Sequence, residues 1–309
     1  MKIAFMGTPD FAVPCLERLI TSKHEIVGVF CQPDKPKGRS QTLTPPPVKV
    51  LANEHNIPVF QPASLRNGEG VKILREIDPD LVIVIAYGKI LPEDFLNYPK
   101  YGCINIHGSI LPKYRGASPI QWAVLNGDKE AGVTSMQMDA GIDTGDMLIV
   151  NTIPVGENET SEELFERLSV LGADTLSETL EALEKGELRP IKQNEEDATY
   201  VGMLSKQMSP VDWSQPADKV HNKIRGLYSW PGATTILEGK TLKIHKAVIS
   251  EKKGNNISGC VVSAEDRIVV CCGDNRCVEL IEIQLEGKKR MKSEDFLRGR
   301  KIPSGTILG

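Results

Sequence analysis

Long apolar runs are absent from this chain. The longest, Leu81–Ala86, suits one buried strand and falls far short of the roughly 18 residues a membrane span requires. The opening M-K-I-A-F-M-G breaks at Pro9 and Asp10 before reaching signal-peptide length, so no targeting segment is expected. Seven cysteines, at 15, 31, 103, 260, 271, 272 and 277, are odd in number and never fall in C-x-x-C spacing. A zinc or dithiol motif is thereby excluded, and reduced thiols in a cytoplasmic protein are the simplest expectation. The chain also lacks a P-loop and G-x-G-x-x-G. Where the first strand ends it reads G-T-P-D-F, with Pro9 and Phe11 in place of the glycines that would let a pyrophosphate approach the backbone. A nicotinamide dehydrogenase is disfavoured on that ground. Internal repeats and low-complexity tracts are likewise missing.

What is present is an ordinary globular composition. The 309 residues are 40% apolar and 25% charged, enough for two domains with a sizeable core. The net charge of −4 conceals an asymmetry. Residues 209–309 carry 17 Lys/Arg against 12 Asp/Glu, an excess of +5, which leaves −9 in residues 1–208. A polyanion touching the C-terminal part would explain the contrast, and ordinary surface variation would explain it equally well.

Texture along the chain gives the architecture. Lys2–Met6, Glu25–Cys31, Leu81–Ala86 and Cys103–His107 read as strands. Helical patterns follow Asp10, which is placed to cap, and recur at Pro47–His55, Glu93–Asn97 and Pro119–Asn126. Val133–Met138 and Met147–Val155 are rich in β-formers. T-S-E-E at Thr160–Glu163 is a capping box opening a helix that stops at Lys185-Gly186. Alternating strands and helices imply an α/β, Rossmann-like, doubly wound and mostly parallel sheet over residues 1–189. Residues 190–208 are polar and without period, a linker. Residues 209–309 hold a helix near Ala217–Leu227 and short β-rich stretches separated by G-K, K-G-N-N and G-D-N turns, which suggests a small all-β barrel.

Three stretches carry chemistry. In I-N-I-H-G-S-I-L-P-K-Y-R-G, Asn105 and His107 share one face at the C-terminal end of a strand, where open α/β sheets place ligands. An amide can donate to an oxyanion and an imidazole can move a proton near neutral pH, a pairing that suits acyl transfer. The loop that follows sets small residues, a hydroxyl and Arg115 at the sheet mouth. In M-D-A-G-I-D-T-G-D-M, Asp143 stands between Gly141 and Gly145, where its carboxylate would fix the tautomer of His107. A glycine-supported turn with solvated acids, or a cation site, remains open for that stretch. Gln32–Lys49 is a long polar insertion bearing Lys35, Lys37, Arg39 and Lys49, suited to gripping a phosphate backbone or simply to being solvated.

Together these residues resemble the signature of the folate-dependent formyltransferases. The resemblance rests on N-I-H-G-S-I-L-P-K-Y-R-G followed by D-A-G-I-D-T-G-D. It runs nearly the full length, from M-G-T-P-D-F through P-D-K-P-K-G-R and T-L-T-P-P-P-V-K to R-G-L-x-S-W-P-G-A and E-G-K-K-R-M, and is similar to members acting on methionyl initiator tRNA. The resemblance implies Asn105, His107 and Asp143 as a catalytic trio. It implies Ser109, Ile110, Leu111 and Pro112 as a folate-binding segment, with Ile110 where the family's S-L-L-P has Leu, an almost volume-neutral change. Lys37, Gly38 and Arg39 would engage the tRNA acceptor end, and the C-terminal part would be an oligonucleotide-binding-like (OB-like) tRNA-binding barrel. The formyl donor would be 10-formyltetrahydrofolate, with no metal and no membrane partner. A formyltransferase acting on a nucleotide amino sugar, and a non-catalytic RNA-binding protein, are the alternatives.

Overall fold

Strands made of unbroken apolar runs belong inside a parallel sheet covered on both faces, and L-V-I-V-I at residues 81–85, buried at every position, is such a strand. In the computed structural model, which describes residues 1–37 and 42–309, the chain forms two compact units. The first comprises Met1–Gly116, Ala131–Ile153 and Phe165–Val201; the second comprises Ala117–Glu130, Pro154–Leu164 and Gly202–Gly309.

The first unit is built on seven strands: β1 (Lys2–Gly7), β2 (Glu25–Phe30), β3 (Val59–Phe60), β4 (Leu81–Ile85), β5 (Cys103–His107), β6 (Glu130–Gln137) and β7 (Met147–Pro154), in the order β7-β6-β5-β4-β1-β2-β3. The pairs from β3 to β5 are parallel, and β6 runs antiparallel to β5. The chain winds outward from β1 to β2 and β3, then returns to β4 and β5 on the other side. This reversal is the switch point at which such sheets open a crevice. One face is covered by Leu74 and Phe95 over Met6, Phe30 and Val84, with the Phe30 and Phe95 rings edge to face at 6.0 Å. The doubly wound, mostly parallel sheet expected from the sequence is therefore present. Asp10 differs from expectation. It lies inside a 3-10 turn, Asp10–Ala12, and makes no capping bond; Pro9 takes the cap position and Pro14 opens the helix Val13–Ile20.

The second unit is an antiparallel curled sheet of the small-barrel kind. Ala233–Leu237, Lys240–Ser250, Cys277–Leu285, Ile268–Cys271 and Val261–Ser263 are neighbours in that order, and Met291–Lys292 adds to Cys277–Leu285. Lys240–Ser250 is long enough to bend. Its register shifts on either side of Lys246, and such a bulge increases local twist and lets a sheet curl. The helix Ala217–Gly226 and Trp213 pack Val220 and Ile224 against Leu242, Ile283 and their neighbours, and the Trp213 indole donates to Thr235 Oγ1 at 3.0 Å. The capping box forms as read: Glu163 N–H donates to Thr160 Oγ1 and Thr160 N–H donates to Glu163 Oε2. All seven cysteines are buried and free.

His221, on the helix Ala217–Gly226, is 4% exposed, and its Nε2 has no partner among the described residues. Burial, and then the Arg225 guanidinium, hold its pKa below the usual histidine value. The unfolded chain therefore takes up a proton at a pH where the folded chain does not. Stability should be full above about pH 6.5 and decline as pH falls below it. The melting temperature is expected to drop between pH 7 and pH 5, and His221→Asn to flatten that part of the profile. An unchanged slope in the variant would show that His221 stays neutral in both states or is charged in both.

Candidate active site

β5 is five residues long and buried throughout, and its alternation sends Asn105 and His107 to one face. They are 8% and 7% exposed. Asp143 comes to them by an indirect route. Gln137, the last residue of β6, pairs with Ile104 near the start of β5, so the loop that follows must double back along the strand to reach His107. Asp143 makes that turn with a φ of +54°, a left-handed conformation that a carboxylate residue visits only at some cost. Gly145 allows the close approach: a Cβ added there would lie 1.7 Å from the Gln137 carbonyl oxygen. Asp139 stiffens the loop by accepting from Gly141 N–H and from Thr144 Oγ1.

The carboxylate of Asp143 then meets three groups. Its Oδ1 lies 3.4 Å from Asn105 Nδ2, and its Oδ2 accepts from Gly116 N–H at 2.8 Å and stands 3.7 Å from His107 Nδ1. The structure thus brings together the three residues singled out in the sequence. The expected division of labour changes in one respect. A separation of 3.7 Å is too long for a hydrogen bond, whereas His107 Nε2 lies 3.0 Å from the carbonyl oxygen of Tyr114. A carbonyl only accepts, so that partner assigns the proton of neutral His107 to Nε2. The Tyr114 carbonyl sets the tautomer, and Nδ1, on the Asp143 side, is left to take up a proton.

Ser109–Pro112 forms a tightly tied turn next to the trio. Ser109 Oγ donates to the Lys113 carbonyl at 2.7 Å, Thr134 Oγ1 donates to the Ser109 carbonyl, and Leu111 N–H donates to Thr134 Oγ1. Leu111 is buried, whereas Ile110 and Pro112 are half-buried. Lys37 ends the strand Lys35–Lys37, which pairs with Thr42–Thr44 as a hairpin, and Gly38 and Arg39 lie outside the described residues. Lys49, counted among the loop's basic groups, is engaged at the hairpin's stem. Its ammonium bonds both Asp34 oxygens at 2.8 and 2.9 Å and Gln61 Oε1 at 2.8 Å, and it holds the Asp34 carboxyl below the usual range.

Two features escaped the sequence reading. Arg115 does not open to solvent but is fully enclosed, with 0% exposure. Its guanidinium bonds Glu195 through both terminal nitrogens, Tyr200 OH, and Gln193 Oε1. The stretch 193–200, read as featureless linker, is also bound to the loop after β5: Thr199 accepts from Tyr114 N–H through its hydroxyl and from Arg115 N–H through its carbonyl. An arginine beside a candidate site always needs acceptors, and Q-N-E-E-D-A-T-Y was a set of them without a period to reveal it. Among the described residues no three His, Cys, Asp or Glu side chains converge as a metal would require.

An amide, an imidazole and a carboxylate are gathered at the mouth of a doubly wound sheet, groups whose chemistry suits acyl transfer, and a curled β unit follows in the chain. The formyl transferase family profile matches residues 1–180, and the profile of the formyl transferase C-terminal domain matches residues 203–301. The chain belongs to the formyl transferase family. It is 48% identical over 309 residues to the methionyl-tRNA formyltransferase of Caldanaerobacter subterraneus subsp. tengcongensis, covering 100% of both chains. It is 48% identical to that of Geobacter metallireducens over 100% of this chain and 99% of the other. Among solved structures, the sugar 3N-formyl transferase WlaRD, determined in the presence of dTDP and 5-N-formyl-THF, matches with a TM-score of 0.70 at 20% identity, covering 94% of this chain and 99% of that one. HypX from Aquifex aeolicus, in complex with tetrahydrofolic acid, matches with a TM-score of 0.62 at 18% identity over 99% of this chain and 51% of that one. At these identities the two structures bear on the fold alone.

The close approach at Gly145 carries a prediction. Gly145→Ala sets a methyl group against backbone, and overpacking of that kind costs about 1–3 kcal/mol. The urea midpoint of the variant should fall accordingly. A midpoint equal to that of the parent would mean that the turn is not held against Gln137.

Proposed function

We propose that this chain transfers the formyl group of 10-formyltetrahydrofolate to the α-amine of methionyl initiator tRNA. The observation that carries the reading is the convergence of Asn105, His107 and Asp143 within one cluster. The donor set suits the reaction. Asn105 Nδ2 has two N–H groups and a single partner, Asp143, among the described residues, so one N–H is left for the oxygen of a tetrahedral intermediate. A methionyl α-amine has an intrinsic pKa of about 7.7–8.0, so only modest help is needed to free it for attack. As the amine bonds to the formyl carbon, His107 Nδ1 takes the proton the amine gives up. His107 then passes that proton toward the folate nitrogen as the carbon–nitrogen bond breaks, while Asp143 favours the transient imidazolium.

In this reading residues 1–189 form the catalytic domain, 190–208 the linker and 209–309 an OB-like domain for tRNA. Ser109, Ile110, Leu111 and Pro112 line the folate side, and Lys37, Gly38 and Arg39 meet the acceptor end of the tRNA. The relatives at 48% identity are named for methionyl-tRNA, and the +5 excess in residues 209–309 suits a polyanion, which together favour tRNA over an amino sugar. The reaction needs no metal, because the formyl group arrives already activated. No helix among the described residues is long and apolar enough to cross a membrane. A role in translation initiation supports a cytoplasmic location.

The direct experiment is formyl transfer to methionyl initiator tRNA, with methionyl elongator tRNA, glycinamide ribonucleotide and a UDP-amino sugar as parallel acceptors. Transfer to the initiator alone supports the reading; transfer to a small acceptor overturns its tRNA half. Asn105→Ala is expected to lose on the order of 10²–10³ in kcat, as other oxyanion donors do, and a loss under tenfold would remove it from that role. Arg39→Ala is expected to raise KM for tRNA while folate binding, read by fluorescence titration, holds. Equal loss of both would point instead to a damaged fold.

A further inference from the structure

Gln193 grips the backbone of the Asp143 turn. It is 5% exposed, and every polar group of its amide is occupied. Nε2 donates to the carbonyl oxygens of Asp143 at 2.8 Å and Gly145 at 2.7 Å, and Oε1 accepts from Arg115 Nε at 3.0 Å. The orientation of that amide is forced. Arginine has donors only and the two carbonyls have acceptors only, so nitrogen and oxygen cannot exchange places. Arg115 is itself fixed, enclosed at 0% exposure, forked onto Glu195, bonded to Tyr200 OH and stacked over the Tyr200 ring at 5.4 Å.

The turn that Gln193 grips needs holding. Asp143 has a φ of +54°, a conformation that persists only where the surroundings over-determine it. The carboxylate end is tied by the Gly116 N–H, and the backbone end is tied by the Gln193 amide across Thr144. Released from the second tie, the turn is free to relax toward ordinary backbone angles and swing the carboxylate away from His107 Nδ1. We infer that Gln193, oriented by Arg115, is a positioning residue for formyl transfer that acts through Asp143. The inference rests on the function proposed above. The segment around Gln193 is therefore part of the site's support and not only a connection.

The test is the isosteric Gln193→Glu. It keeps the acceptor facing Arg115 and removes the donor to the two carbonyls. The expected result is a 10- to 100-fold fall in kcat, with KM for folate and for methionyl-tRNA within threefold and the melting temperature within a few degrees. The decisive comparison is in an Asp143→Ala background. There the same substitution is expected to cost less than twofold, because its target has gone, whereas a role in general stability would lower kcat in both backgrounds. Equal losses in the two backgrounds, or parent-like kcat in the single variant, overturn the inference. Should Gln193→Glu melt early, Gln193→Asn keeps both donor and acceptor on a side chain one methylene shorter; it should fold and still lose kcat. Early melting of both variants also overturns the inference. A parent chain that formylates no acceptor overturns the proposed function itself, an outcome distinct from parent-like Gln193→Glu in an active enzyme.

Discussion

Asp143 must be carried back along the face of β5 from a loop that leaves the sheet near that strand's beginning, and most of the site's construction answers this requirement. Gly145 permits the loop to pass against the Gln137 carbonyl, Asp139 braces the turn, and the backbone at Asp143 accepts a left-handed angle. The residue is tied at both ends. The Gly116 N–H holds one carboxylate oxygen, and Gln193 holds the carbonyls on either side of Thr144. The geometry of the cluster is thus an outcome of backbone hydrogen bonds as much as of side chains.

The loop after β5 does several tasks at once. Between Gly108 and Gly116 it supplies the turn Ser109–Pro112, the Tyr114 carbonyl on Nε2, the enclosed guanidinium of Arg115 and the Gly116 N–H. Its own position depends on Thr199, whose hydroxyl and carbonyl accept from Tyr114 N–H and Arg115 N–H. A chain segment some 80 residues downstream therefore fixes the tautomer of the histidine indirectly.

Much of this was legible in the residues, and what was not has a physical reason. L-V-I-V-I announces a central parallel strand because both of its faces are apolar, and T-S-E-E announces a helix start because both partners of the reciprocal bonds lie within four residues. N-x-H places two side chains on one face by strand periodicity alone. Tertiary hydrogen bonds leave no such trace. Gln193 reaches Arg115 across 78 positions, and a polar stretch that serves as a set of acceptors has the same composition as one that serves only as a linker. Asp10 was misassigned for a related reason. It is a good capping residue in isolation, but the prolines on either side of it, Pro9 and Pro14, give the cap and the helix start to other positions.

The hairpin Lys35–Lys37/Thr42–Thr44 springs from a stem closed by Lys49, Asp34 and Gln61. The Lys49–Asp34 bonds join positions 15 residues apart, so the entropy of closing the insertion is met at its base, and lengthening the span between would add little to it. An insertion closed at its base in this way can change in length at little cost to the strand that carries Asn105 and His107.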